Sequence, residues 1–291
     1  MCYKYNINIF YKGYAILKER KEKYSMKKFI DHWNNYTVYA FNFKNPLDLC
    51  EYVRKAEINT NIFPMNIVRE CGSEGSDQSL NGGGWYQTKN IKQAIDFCID
   101  GWHEGFDFFK SLKKTLDYRG DKMTILSRSK EKPINILVNL SYRWETTKQG
   151  IVNRGVIIQN LVNELEKNGY KVNLKTFSLI YYEKELSCIV VNLKGINEKL
   201  DARKAYFAFC NPSFLRRLVF RVMESSDFKE FGWHNGYGWL CTCDFIKEAF
   251  STGEFDIVIP EPLEIGIKGE DIVKDWRQFL IFENLQDCFN F

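Results

Sequence analysis

The stretch INILVNLSYRWETTKQG, residues 134–150, decides how this chain is read. Ile134, Ile136, Val138 and Leu140 fall at every second position, the period of a strand whose alternate side chains share one face. The apolar run then stops abruptly in Ser141, Arg143, Glu145 and two threonines. Ligands of open α/β sheets gather at the carboxyl ends of strands, so polar residues at that point mark a candidate site.

A helix is expected next, over about 148–168, with Ile158, Leu161, Val162 and Leu165 on its core face and Asn168-Gly169 as its stop. YKVNLKTFSLI (170–180) and SCIVVNLKG (187–195) read as strands joined by a short polar turn, hence an antiparallel hairpin. DARKAYFAFCN is helical. Asn211-Pro212 then opens a helix through SFLRRLVFRVMES, a capping residue followed by a first-turn proline. FDIVIPEP (255–262) is a further strand, and GEDIVKDWRQFLIF a closing helix. This order predicts an α/β domain over 131–291, a mostly parallel sheet flanked by helices.

The amino-terminal side divides into an appended element, 1–25, and an α+β domain, 26–130. Thr88 is expected to cap a helix running to about residue 118, with Ile91, Ile95, Cys98, Trp102, Phe109, Leu112 and Leu116 on its buried stripe. Gly101 and Gly105, four apart, allow either a close approach by another backbone or a kink. SEGSDQSLNGGGW (73–85) reads as an exposed loop. Its triple glycine lacks the lysine and hydroxyl residue that a phosphate-binding loop requires.

Composition removes several function classes. The 291 residues are 45% apolar and 27% charged, enough to bury a core and too apolar for a disordered chain. A net charge of +4, from 41 basic and 37 acidic residues, does not by itself imply a nucleic-acid partner. No apolar run is long enough to span a bilayer, and the amino terminus places its charges after its apolar part, the wrong order for a secretory signal. Nine scattered cysteines without a CxxC pair argue against a disulfide framework or structural zinc, so a reducing cytoplasm is expected. Cys241 and Cys243 could join His234 around a metal, but two buried thiols are the plainer reading. No metal and no cofactor are expected. Asn, Ile, Lys and aromatics are all heavily used, as in an AT-rich genome, so aromatic content alone does not mark a binding surface.

The order of elements over 134–262 resembles the first half of a von Willebrand factor A-like domain, in which the third strand opposes the second. That family ends its first strand in Asp-x-Ser-x-Ser, part of a metal-ion-dependent adhesion site. Here the corresponding residues are Asn139-Leu140-Ser141-Tyr142-Arg143, and only Ser141 matches. A divalent ion requires hard anionic oxygens; Asn139 is neutral and Arg143 adds positive charge. The resemblance therefore implies the fold with a degenerate metal site. GWHEG (101–105), RGVIIQNLVNELEKNGYKV (154–172), NPSFLRRLVFRVMES (211–225) and GYG (236–238) resemble uncharacterised proteins of tailed bacteriophages. That resemblance carries no activity. It implies a viral origin, a place in the host cell cytoplasm, and a role in host takeover, counter-defence or genome handling.

Two further constellations are candidate sites. Arg216 and Arg217 lie in the first turns of their helix, where the dipole disfavours cations. A carboxylate network or a bound anion must compensate, and the carboxylate network is favoured. Arg221 is spaced to pair with Glu224. GWHNGYGWLCTC (232–243) carries Trp233, His234, Tyr237 and Trp239 beside glycines. Protein contact ranks first for it, a packed loop second and base stacking third. Hydrolase, zincin, P-loop and dinucleotide motifs are absent, and only His32, His103 and His234 are available as imidazoles. The leading expectation is a non-catalytic protein that binds a host or phage protein, as an anti-defence inhibitor acting as a homo-oligomer, away from membranes. The alternative is a nucleic-acid-binding or phosphodiester-cleaving accessory protein, with Asp256, Glu261 and Glu264 as its carboxylates.

Overall fold

Strand β3 (Ile134–Asn139) lies inside a sheet of seven strands among the described residues, and its alternation is buried on both faces. Ile134, Ile136 and Val138 join the main core, while Leu137 joins a smaller cluster with Phe177, Leu179 and Leu186 on the opposite face. The computed structural model describes residues 27–33, 36–57, 59, 88, 90–103, 133–141, 146, 148–182, 184–226, 239–240, 255–259 and 261. The appended segment 1–25, the loop 73–85 and the closing helix lie outside these residues.

The other strands are β1 (Lys27–Trp33), β2 (Tyr36–Phe43), β4 (Val172–Tyr182), β5 (Glu185–Lys194), β6 (Trp239–Leu240) and β7 (Ile257–Ile259). The sheet order is β1-β2-β5-β4-β3-β7, with β6 paired to β4. In the carboxyl-terminal part β4, β3 and β7 run parallel, and β5 opposes β4 as the expected hairpin. β2 lies parallel to β5 and antiparallel to β1, so the whole is a mixed sheet in an α/β fold. β2 of the amino-terminal part pairs with β5 of the carboxyl-terminal part, and buried residues of both parts share one core cluster.

The helices are α1 (Pro46–Lys55), α2 (Ile91–Asp100), α3 (Lys148–Lys167), α4 (Ala202–Cys210), a π-helical turn at Phe214–Val219, and α5 (Phe220–Glu224). α3 buries Ile158, Leu161, Val162 and Leu165 completely, and Gly169 follows it at φ 85°. Leu215, Leu218, Val219 and Val222 are buried as their spacing requires. The π turn was not foreseen; it widens the helix by one residue at Phe220, whose N–H bonds Leu215 O. Among the described residues no helix is long and apolar enough to cross a membrane.

α2 corrects two expectations. Its cap is Asn90, whose Oδ1 accepts the Gln93 N–H at 2.9 Å; Thr88 instead donates its backbone N–H to Ser213 Oγ at 2.7 Å. The helix ends at Gly101 rather than running on unbroken, because Gly101 takes φ +87°. The close approach that the glycine allows is real: a Cβ there would lie 2.5 Å from Arg203 Cβ on α4. Trp102 then turns in to stack on Tyr206 at 5.1 Å between ring centres. Gly101→Ala therefore combines left-handed strain with a clash. We expect a loss of about 2 kcal/mol in urea denaturation, and an unchanged midpoint would refute the close packing of α2 on α4.

Candidate functional site at the carboxyl end of strand β3

The end of β3 closes upon itself. The Leu140 N–H continues the ladder to Phe177 O at 2.7 Å, one residue beyond the strand. Asn139 Oδ1 accepts the Ser141 N–H at 2.9 Å, and Ser141 Oγ lies 3.4 Å from Ser178 Oγ on β4. Asn139 and Ser141 are each 1% exposed. The side-chain oxygen that an adhesion-type metal would need is thus engaged by the backbone of its own turn.

Positive charge already sits at this end. Arg154, on the second turn of α3, is 1% exposed, and its Nη1 donates to Asn139 O at 2.6 Å. A guanidinium bonded to a main-chain carbonyl is a strong, charge-assisted contact. Arg154 was not singled out from sequence, although it stands one turn before Ile158 on the buried stripe of its helix, and that periodicity carried the signal. Thr146, just ahead of α3, is also buried.

The carboxylates divide. Asp256 precedes β7 and ties it to β3 at the amino end: its N–H donates to Asn135 O at 2.9 Å and its Oδ2 accepts the Asn135 N–H at 2.8 Å. Glu261, 2% exposed, follows β7 at the carboxyl end. Asp256 and Glu261 thus stand before and after β7, and Glu264 lies outside the described residues. Among the described residues no group of three or more His, Cys, Asp or Glu side chains could hold a metal ion.

β6 brings the glycine- and aromatic-rich segment to this end. β3 pairs with β4 only as far as Phe177, and β6 takes up the same edge further on, with Leu240 opposite Ile180 and Trp239 opposite Tyr181. The backbone of Trp239 is thereby fixed beyond the end of β3. Arg143, Trp233, His234, Tyr237, Cys241 and Cys243 lie outside the described residues.

The arginine-rich helix is part of the core. Arg217 is 1% exposed and Arg216 half-buried. Arg221 meets Glu224, which is fully buried, at 3.4 Å, the pairing its spacing predicts. Glu224 O also accepts the Asn59 N–H, and Tyr52 on α1 bonds Ser225, so described contacts tie this helix end to α1. His103 is exposed. Cys50, Cys98, Cys188 and Cys210 are buried free thiols. Burial pushes Cys188 up to about 12, and it holds Cys210 well above the usual thiol range against the pull of nearby Arg154. The neighbouring Cys50 thiol and burial raise Cys98 in the same direction. Thiols held protonated in this way are poor nucleophiles.

Fold and strand end together define an α/β protein with a closed, guanidinium-braced polar centre at the carboxyl ends of its parallel strands. Residues 122–281, more than half of the chain, match the model of a domain of unknown function (DUF7192), and the chain belongs to that family. No curated protein and no solved structure matches it.

Proposed function

We propose that this chain is a non-catalytic, phage-encoded binding protein that engages a protein target of the host, as an oligomeric anti-defence inhibitor built on a von Willebrand factor A-like domain without metal. The observation that carries the reading is the bond from Arg154 Nη1 to Asn139 O. It gives the strand end a fixed internal cation where an adhesion-type site would recruit a divalent one. The run β5-β4-β3-β7, with β5 reversed, supports the likeness of fold. The pairing of Trp239 with Tyr181 beside that end supports a contact surface there.

Affinity capture of the tagged protein from phage-infected cells, followed by mass spectrometry and nucleic-acid quantification, tests this reading. A host protein recovered in stoichiometric amount is expected. Recovery of nucleic acid without such a protein would overturn it in favour of the nucleic-acid-binding alternative. A second expectation concerns metal. Millimolar Mg²⁺ or Mn²⁺ leaves the melting temperature unchanged, because no ion gains binding free energy on folding. A rise that chelator reverses, present in the wild type and lost in Ser141→Ala, would restore a metal-dependent site.

A further inference from the structure

Two of the buried thiols meet. Cys50 stands in the middle of α1 and Cys98 near the end of α2, and both belong to the main core. Cys98 Sγ donates to Pro46 O at 3.9 Å. Pro46 is one helical turn before Cys50, and helical side chains lean toward the amino end, so Cys50 projects over that same carbonyl. The two thiols are in hydrogen-bond contact there. Cys98 gives its single proton to Pro46 O, which leaves Cys50 as the donor between the sulfurs. The Lys204 ammonium on α4, partly exposed, acts on Cys98 as a nearby positive charge. The other two described thiols stand apart: Cys188 lies in the smaller cluster across the sheet, and Cys210 reaches Val152 O.

We propose that Cys50 and Cys98 are a reversible redox pair, closed to a disulfide by small disulfides of the glutathione class and reopened by thiols. The Cys98 thiolate, favoured by Lys204, attacks one sulfur of glutathione disulfide; the bond between the two glutathione sulfurs breaks and the first glutathione leaves. The Cys50 thiolate then attacks Cys98 Sγ, and the second glutathione leaves. The two protein thiols are oxidised, glutathione disulfide is reduced, and both protein protons end on the departing glutathiones. The sulfurs need only close from hydrogen-bond contact to about 2.0 Å. Both groups are buried, so exchange proceeds through local openings of the α1–α2 contact and is slow. Burial and the Cys50 contact hold the Cys98 thiol well above the usual thiol range. A reduced form without a stabilised thiolate lacks the feature that makes some disulfides strong oxidants, so the bond once made persists until thiol is in excess. It joins α1 to α2 and closes residues 51–97 into a loop, which favours the folded chain. This pair is separate from the binding reading above and stands without it.

Incubation of the full chain with excess glutathione disulfide, followed by acid quench, alkylation in denaturant and peptide mapping, tests the pair. A species joining the Cys50 and Cys98 peptides is expected, with two hydrogens fewer than the separate peptides. The linked protein should melt about 5 °C above the reduced one, and dithiothreitol should reverse both changes. In Cys50→Ala the glutathione on Cys98 should persist, because no second thiol stands by to expel it. Three results would overturn the proposal: both thiols recovered alkylated from the native wild type, a link that forms only after unfolding in urea, or a linked protein that melts no higher than the reduced one.

Discussion

Gly155→Ala is expected to lower stability by about 3 kcal/mol, near the upper end of overpacking effects. A Cβ at this position would lie 2.0 Å from Cys210 Sγ and 3.5 Å from Phe209 Cβ. The sulfur cannot retreat: Cys210 is fully buried, has a single side-chain rotor, and its thiol already reaches Val152 O at 3.9 Å. Helices α3 and α4 therefore cross where one side supplies no side chain and the other a small thiol. The double variant Gly155→Ala, Cys210→Ala exchanges sulfur for methyl across the contact and should recover most of the loss, because Cys210 Cβ stands at an ordinary 3.6 Å. Cys210→Ala alone should cost about 1 kcal/mol. Urea denaturation of the four proteins gives the coupling directly, and a double variant no more stable than Gly155→Ala would refute the crossing.

Arg154→Met should cost about 3 kcal/mol. The substitution keeps much of the aliphatic volume but leaves the buried Asn139 carbonyl without its charged donor. Lysine should rescue little, since an ammonium on a flexible stem lacks the planar fork of the guanidinium. Hydrogen exchange at Leu140 and Ser141 should quicken in the methionine variant before the rest of the sheet responds, because their amides hold the turn that Arg154 braces. A methionine variant as stable as the wild type would show that the guanidinium does not hold the strand end.

Much of the carboxyl-terminal architecture was legible because each element carried its own period. β3, the β4–β5 hairpin, α3 and the Asn211 cap all announce themselves in local spacing and in cap chemistry. The helix at 91–100 was legible in kind but not in extent. Thr88 has the chemistry of a cap, yet a serine 125 residues away takes its amide, and Asn90 caps instead. Gly101 looked like a possible kink, and the left-handed turn it makes depends on Arg203 lying against it. The π turn at 214–219 leaves no trace in a pattern whose apolar positions suit an α-helix equally well. At the strand end, Ser141 and Asn139 were visible as polar residues after an apolar run. Arg154 was not, because an arginine inside a helix ordinarily reads as a solvated face. Which carboxylates share an end of the sheet is a matter of strand direction, and strand direction is not written in local spacing.

The parallel pairing of β2 with β5 also bears on how the molecule is made. Thr37 lies opposite Glu185, and the Tyr39 hydroxyl bonds the Glu185 carboxylate across 146 positions of sequence. A ribosome adding 5–20 residues per second delivers β5 roughly 7–30 s after β2 has been synthesised. During that interval the β1–β2 pair has no β5 to cover the edge that will carry Tyr39 and Phe41, and such an edge invites pairing with any extended chain nearby. Closing so long a loop also makes this the slow contact of the fold. The yield of native protein should therefore depend on how quickly the hairpin at 172–194 emerges and on whether a chaperone shields the waiting strand. Slowing translation between codons 60 and 170 should increase aggregation without changing the stability of the molecules that do fold.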